Sequence, residues 1–95
     1  MSKVVHARKK PVTIQAIRAS HVYESRHPLH WGELPPWLAD GVQKGHIVFA
    51  DDGIYVTTLE GTMFAGAEDW ILCGIKGEIY PCKADIFEQT YDIIA

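Results

Sequence analysis

The second half of the chain is a series of short runs rich in β-branched and aromatic residues, bounded by glycine-containing or acidic turns. Residues 46–50 (HIVFA) and 54–58 (IYVTT) flank Asp51-Asp52-Gly53, a tight turn with glycine where positive φ is favoured. Leu59-Glu60-Gly61 turns into a strand over residues 62–65, Gly66-Ala67-Glu68-Asp69 into one over 70–75, and Lys76-Gly77-Glu78 into one over 79–82. Asp85 stands where a helix N-cap would accept from the following amides, ahead of Ile86, Phe87, Glu88, Gln89 and Thr90. Phe87 and Tyr91, an i, i+4 pair, are placed to pin that helix to the sheet. Residues 91–94 fit a final edge strand.

The first half is less regular. Residues 12–19 alternate roughly in period two behind Pro11, which suits the first position of a strand because proline cannot donate to a central ladder. Residues 21–34 have no clear period and read as a loop. Pro35 and Pro36 can open a short helix, where a missing N–H costs nothing, and Trp37, Leu38, Ala39 and Val42 give it an apolar side. Gly41 and Gly45 predict a ragged end for it. The sum is an α+β fold: a small, strongly bent antiparallel sheet or barrel-like roll of about six strands with two short helices. The 95 residues suit a single domain, with a basic segment at 1–10, a loop and short helix at 21–45, and a β-meander with terminal helix at 46–95.

Composition, at 47% hydrophobic and 22% charged, is that of a globular chain and argues against disorder. The longest apolar runs are a few residues, far short of the ~20 that span a bilayer, so no membrane association is expected. Two cysteines and the lack of an apolar stretch after the N-terminus predict a reducing compartment, the cytoplasm. Charge is uneven. Residues 1–26 carry six basic side chains against Glu24, a balance of +5, while the remainder carries three against eleven acids, a balance of −8. A basic arm on an acidic body attracts anions, whether nucleic acid, a nucleotide or an acidic surface; it also serves as a plain solvated terminus.

No catalytic set emerges. His27, His30, His46, Cys73 and Cys82 are residue types that zinc accepts, but the cysteines stand nine apart and Pro28 stiffens the histidine pair, unlike the close pairs of structural zinc sites. Cys73, among Ile71, Leu72 and Ile75, suits a small buried hydrophobe. Cys82 lies beside Lys83, whose ammonium could lower a thiol pKa, yet no base accompanies it. The acids Asp51-Asp52 and Glu68-Asp69 are adjacent in turns, whereas paired catalytic carboxylates come from separate elements facing one cleft. The expectation is therefore a non-enzyme with no cofactor and no metal.

What remains is a mixture of aromatic faces and cations. Tyr23, Arg26, Trp31 and Trp37 cluster in the irregular middle, and with Arg8, Lys9 and Lys10 they form the candidate ligand-binding set. Arginine and lysine would meet phosphates, and the rings would stack on a base or other planar group. The plainer reading is that Trp31 and Trp37 close the open end of the sheet and anchor the helix.

Residues 57–91, TTLEGTMFAGAEDWILCGIKGEIYPCKADIFEQTY, resemble the C-terminal half of a family of small phage and prophage proteins. Their pattern combines a KKPV strand start, a TLEG turn, a G-D-[YW]-I-[IL] strand and a G-E-x-Y-P-C-K-x-D-I-F-E-x-T-Y tail. Here Glu68 replaces the glycine before Asp69, and Trp70 fills the aromatic position. The resemblance implies an origin and a scaffold rather than a reaction. It implies an accessory protein that binds a host component, as an inhibitor of host defence that grips a defence protein or sequesters a signalling nucleotide. Alternatives are a nucleic-acid-binding phage protein, which the net charge of −3 disfavours, and a virion structural or morphogenetic protein. Edge strands of a short meander need pairing or protection, so a homo-oligomer is also expected.

Overall fold

The computed structural model describes residues 3–94. Along it follow β1 (Gln15–Arg18), α1 (Ala19–Glu24), a 3₁₀ helix (Pro28–Glu33), α2 (Pro36–Gln43), β2 (Ile47–Ala50), β3 (Gly53–Thr58), β4 (Gly61–Ala65), β5 (Trp70–Cys73), β6 (Ile79–Cys82) and α3 (Ala84–Thr90). This is the expected antiparallel α+β architecture. Its six strands form two three-stranded sheets, ordered β1-β5-β6 and β2-β3-β4.

The β2-β3-β4 meander is built by two tight turns. Ala50 pairs with Gly53 and Thr58 with Gly61, leaving two residues in each turn. The turn residues keep negative φ and the glycine that follows each turn has positive φ, 155° at Gly53. A Cβ on Gly53 would lie 2.5 Å from the Ala65 carbonyl oxygen, so both the conformation and the space require glycine. Alternation along β3 sends Ile54 and Val56 inward and Tyr55 and Thr57 outward. The first sheet is closed by a long-range pair: Ile17 opposes Ile71 and Arg18 opposes Trp70, so the whole meander is inserted between β1 and β5.

Both sheets contribute to one core. Ile54, Val56 and Ala65 of the meander, Ile71 of β5, Ala19 and Val22 of α1, and Leu38 and Val42 of α2 are buried together. On the first sheet's other face, Trp70 stacks on Phe87 of α3 with ring centroids 4.2 Å apart, and Phe87 meets Tyr91 at 5.2 Å.

Several boundaries depart from the sequence pattern. The first strand is confined to Gln15–Arg18, because Ala19 and Ser20 donate to the carbonyls of Asp69 and Ala67 (2.8 and 3.1 Å) and start a helix instead. Residues 21–34 are not loop throughout: α1 runs to Glu24 and a 3₁₀ helix covers Pro28–Glu33; His27 Nδ1 accepts from the Leu29 amide to begin the latter. α2 ends in an ordered cap, not a ragged one: Gly45, at φ 79°, donates to Val42, and His46 donates to Gly41, a Schellman arrangement. Asp85 lies inside the first turn of α3, with Lys83 at the N-cap position. The capping oxygen comes from Asp69, whose Oδ1 accepts from the Ala84 amide at 3.2 Å. Residues 91–94 form no strand.

A groove between α2, the β3-β4 turn and β6

Gly41 of α2 makes room for the Ile79 side chain of β6. A Cβ there would stand 2.7 Å from Ile79 Cδ1. With Leu38 and Val42 turned to the core, the helix presents Trp37, Asp40 and Lys44 along its flank, the last two joined at 3.0 Å. Trp37 Nε1 donates to Gln15 Oε1 at 2.7 Å, which fixes the indole. Opposite, the β3-β4 turn is stiffened by Thr58, whose Oγ1 donates to the Gly61 carbonyl at 2.8 Å and accepts from the Glu60 amide at 3.1 Å. This holds Leu59 fully exposed at the tip, with a relative exposure of 104%.

Between them runs an open groove of about 770 Å³. Trp37, Leu59, Met63, Ile79 and Pro81 supply its apolar lining, and Asp40, Glu60 and Glu78 its acidic groups. Lys44 and His46 are the basic side chains on its walls, and Lys44 is already paired with Asp40. Tyr80 also lines it; its hydroxyl lies 3.4 Å from that of Tyr91, and burial first, then Tyr91, keeps it protonated well above the usual tyrosine range. A chain segment with apolar and cationic side chains fits such a surface better than a phosphate does.

The residues singled out from the sequence occupy three places. Tyr23, Arg26 and Trp31 come together: the Arg26 guanidinium lies 4.4 Å over the Tyr23 ring and donates to the Tyr23 carbonyl, and Trp31 Nε1 donates to the Arg26 carbonyl at 3.2 Å. Tyr23 also meets Phe49 edge-on at 6.2 Å, and both Tyr23 and Trp31 pack on the core. These faces are engaged within the fold. Trp37 belongs to the groove. Lys9 reaches the end of α3, its ammonium 5.0 Å over the Tyr91 ring, while Arg8 and Lys10 are exposed.

A second, smaller concavity of about 270 Å³ lies beside Tyr23, with Glu24, Asp51 and Asp52 on its walls. His27 and His30 have local roles: His30 Nδ1 is 2.9 Å from Glu33 Oε2, and the His27 and His30 rings meet edge-on. Among the described residues, no three His, Cys, Asp or Glu side chains are grouped to hold a metal. The Cys82 thiol is pushed up, not down, by burial and then by the carboxylates of Asp69 and Asp85, against a smaller opposing effect of Lys9. Lys83 does not activate it, because its ammonium is held by Asp69 Oδ2 at 3.0 Å.

Sequence reasoning assigned residues 57–91 to scaffold and so passed over Leu59, Glu60, Met63 and Glu78. One signal was available: a leucine at the tip of a tight turn, where a polar residue would be solvated without cost. Comparison with protein-family models, with curated proteins and with solved structures found no match.

Proposed function

We propose that this chain is a non-enzymatic binding protein of phage or prophage origin that occupies a host protein in the host cytoplasm, through the groove between α2, the β3-β4 turn and β6. The observation that carries this reading is the groove itself, an apolar cleft rimmed by Asp40, Glu60 and Glu78. The sequence resemblance supplies the origin, and inhibition of host defence is the role it suggests.

The same charge pattern favours a protein over a signalling nucleotide as the ligand. A phosphate entering the groove would face three carboxylates and a lysine already paired with one of them. The test is copurification from host cells followed by mass spectrometry, comparing the wild-type chain with Leu59→Arg and Met63→Arg. A host protein retained by the wild type and lost from both variants, with folding unchanged by circular dichroism, is the expected result. Calorimetry against a panel of cyclic and ADP-ribose-type nucleotides should show no heat. Heat at micromolar protein would replace the protein partner with a nucleotide.

One observation favours a second reading. Arg8 and Lys10 are exposed on a segment without helix or strand, as in proteins that contact nucleic acid through a basic arm. A gel shift that disappears steeply with salt would move the assignment there.

A further inference from the structure

We infer that the groove is filled by the basic N-terminal segment of a second copy of this chain, in a symmetric dimer whose two copies exchange arms. Residues 3–14 form no helix or strand, and Lys3, Arg8, Lys9 and Lys10 have no acidic residue among them. Within this segment Val5 is 81% exposed, so the arm carries apolar as well as cationic side chains. The groove is its complement: an apolar lining with Glu60 and Glu78 at the rim.

Position favours the match. Lys9 Nζ lies 3.5 Å from the Tyr91 hydroxyl, which lies 3.4 Å from the Tyr80 hydroxyl, and Tyr80 lines the groove. Tyr80 pairs with Leu72 and points its ring to the α3 face, so the arm is rooted across the edge strand β6 from the groove, and the six residues 3–8 reach at most about 20 Å beyond the root. The chain's radius of gyration is 14.9 Å, with extents of 58 × 30 × 23 Å. A compact chain of this length would have a radius of about 12 Å. The excess fits an arm that projects outward instead of folding back across its own groove. An arm rooted one strand away from the site it complements, and projecting from its own body, can reach that site on a second copy across a two-fold axis, each copy then filling the other.

The backbone offers a further match. β4 and β6 are outer strands of their sheets, and both border the groove. Pro81 removes one donor from β6, whereas β4 has no proline, so the arm's extended backbone would add to β4. The inference stands whether or not a host protein binds. If one does, it competes with the partner's arm.

The test uses the purified full chain. Light scattering at 50 mM salt should give twice the 10.7 kDa chain mass, and the dimer should weaken at least tenfold in 1 M salt. Lys3→Glu with Arg8→Glu should weaken it by a similar factor, as should Glu60→Lys with Glu78→Lys; these residues are exposed, so circular dichroism should show both variants folded. Mixing the two variants should restore a heterodimer, read by native mass spectrometry. Carbodiimide cross-linking of a mixture of ¹⁴N- and ¹⁵N-labelled wild type should join Lys3 to Glu60 or Glu78 in mixed-isotope peptides. A monomer, a dimer indifferent to arm charge, failure of the mixed variants to pair, or cross-links confined to one isotope would each overturn the inference, the last placing the arm in its own groove.

Discussion

Asp69 does more for the fold than its place in an acidic turn suggests. Its carboxylate accepts from the Gly66 amide at 2.9 Å, the Ala84 amide at 3.2 Å and the Lys83 ammonium at 3.0 Å, so one buried side chain closes its own turn and caps α3. Burial alone would raise its pKa, but the Lys83 hydrogen bond and the two amides outweigh it and the pKa is lowered. Asp69→Ala leaves these donors without their acceptor and should cost about 2 kcal/mol in urea unfolding at pH 7. Because the folded-state pKa lies below the unfolded value of about 3.9, the carboxylate's contribution is complete above that pH and is lost as pH falls through the lower folded value. The gap between wild type and variant should therefore narrow as pH is taken progressively below the unfolded value of about 3.9, and a gap independent of pH would refute the ionic role. Cys82 supplies a second prediction. With its pKa raised, its alkylation by iodoacetamide at pH 8 should be slower than that of free glutathione, and Asp69→Ala, which removes one of the raising charges, should speed it.

At the scale of elements, α3 is a seven-residue helix held by side chains more than by its own turns. Phe87 is its one buried residue, stacked on Trp70, whose ring also lies 4.4 Å from the Arg18 guanidinium. Phe87→Ala should cost about 3 kcal/mol and release the helix, seen as faster amide exchange over residues 84–90 than over β3. This clamp was legible in the i, i+4 spacing of Phe87 and Tyr91, as the meander was in its glycine turns, because both are local signals. α1 was not: Ala19–Glu24 has no side-chain cap, and its start is fixed by the carbonyls of Asp69 and Ala67, some fifty residues away along the chain. Period-two alternation likewise cannot say which strands pair, so the division into two sheets lay outside it. The candidate site was read only in part, since Trp37 reached the groove while Tyr23, Arg26 and Trp31 turned to one another.

The whole molecule is tied together by a pairing distant in sequence. β1 meets β5 with Gln15 opposite Cys73, and the helices and meander between them lie inside that closure. Ile71 sits at the junction: on β5, fully buried, paired with Ile17 and packed in the same core as Ile54 and Val56 of the other sheet. Neither sheet can keep its inner face covered without the other, so the two should unfold together. Removing Ile71 to alanine should cost about 3–4 kcal/mol, within the range for buried aliphatic truncations. The loss should be shared: tryptophan emission, from Trp70 on one sheet, Trp31 on the 3₁₀ helix and Trp37 on α2, should change at the same urea concentration as the far-ultraviolet circular dichroism, in wild type and variant alike. Two separated transitions, with the meander surviving loss of β1 and β5, would mean that the inserted sheet folds on its own and that the groove, built by α2, the β3-β4 turn and β6, depends on two units instead of one.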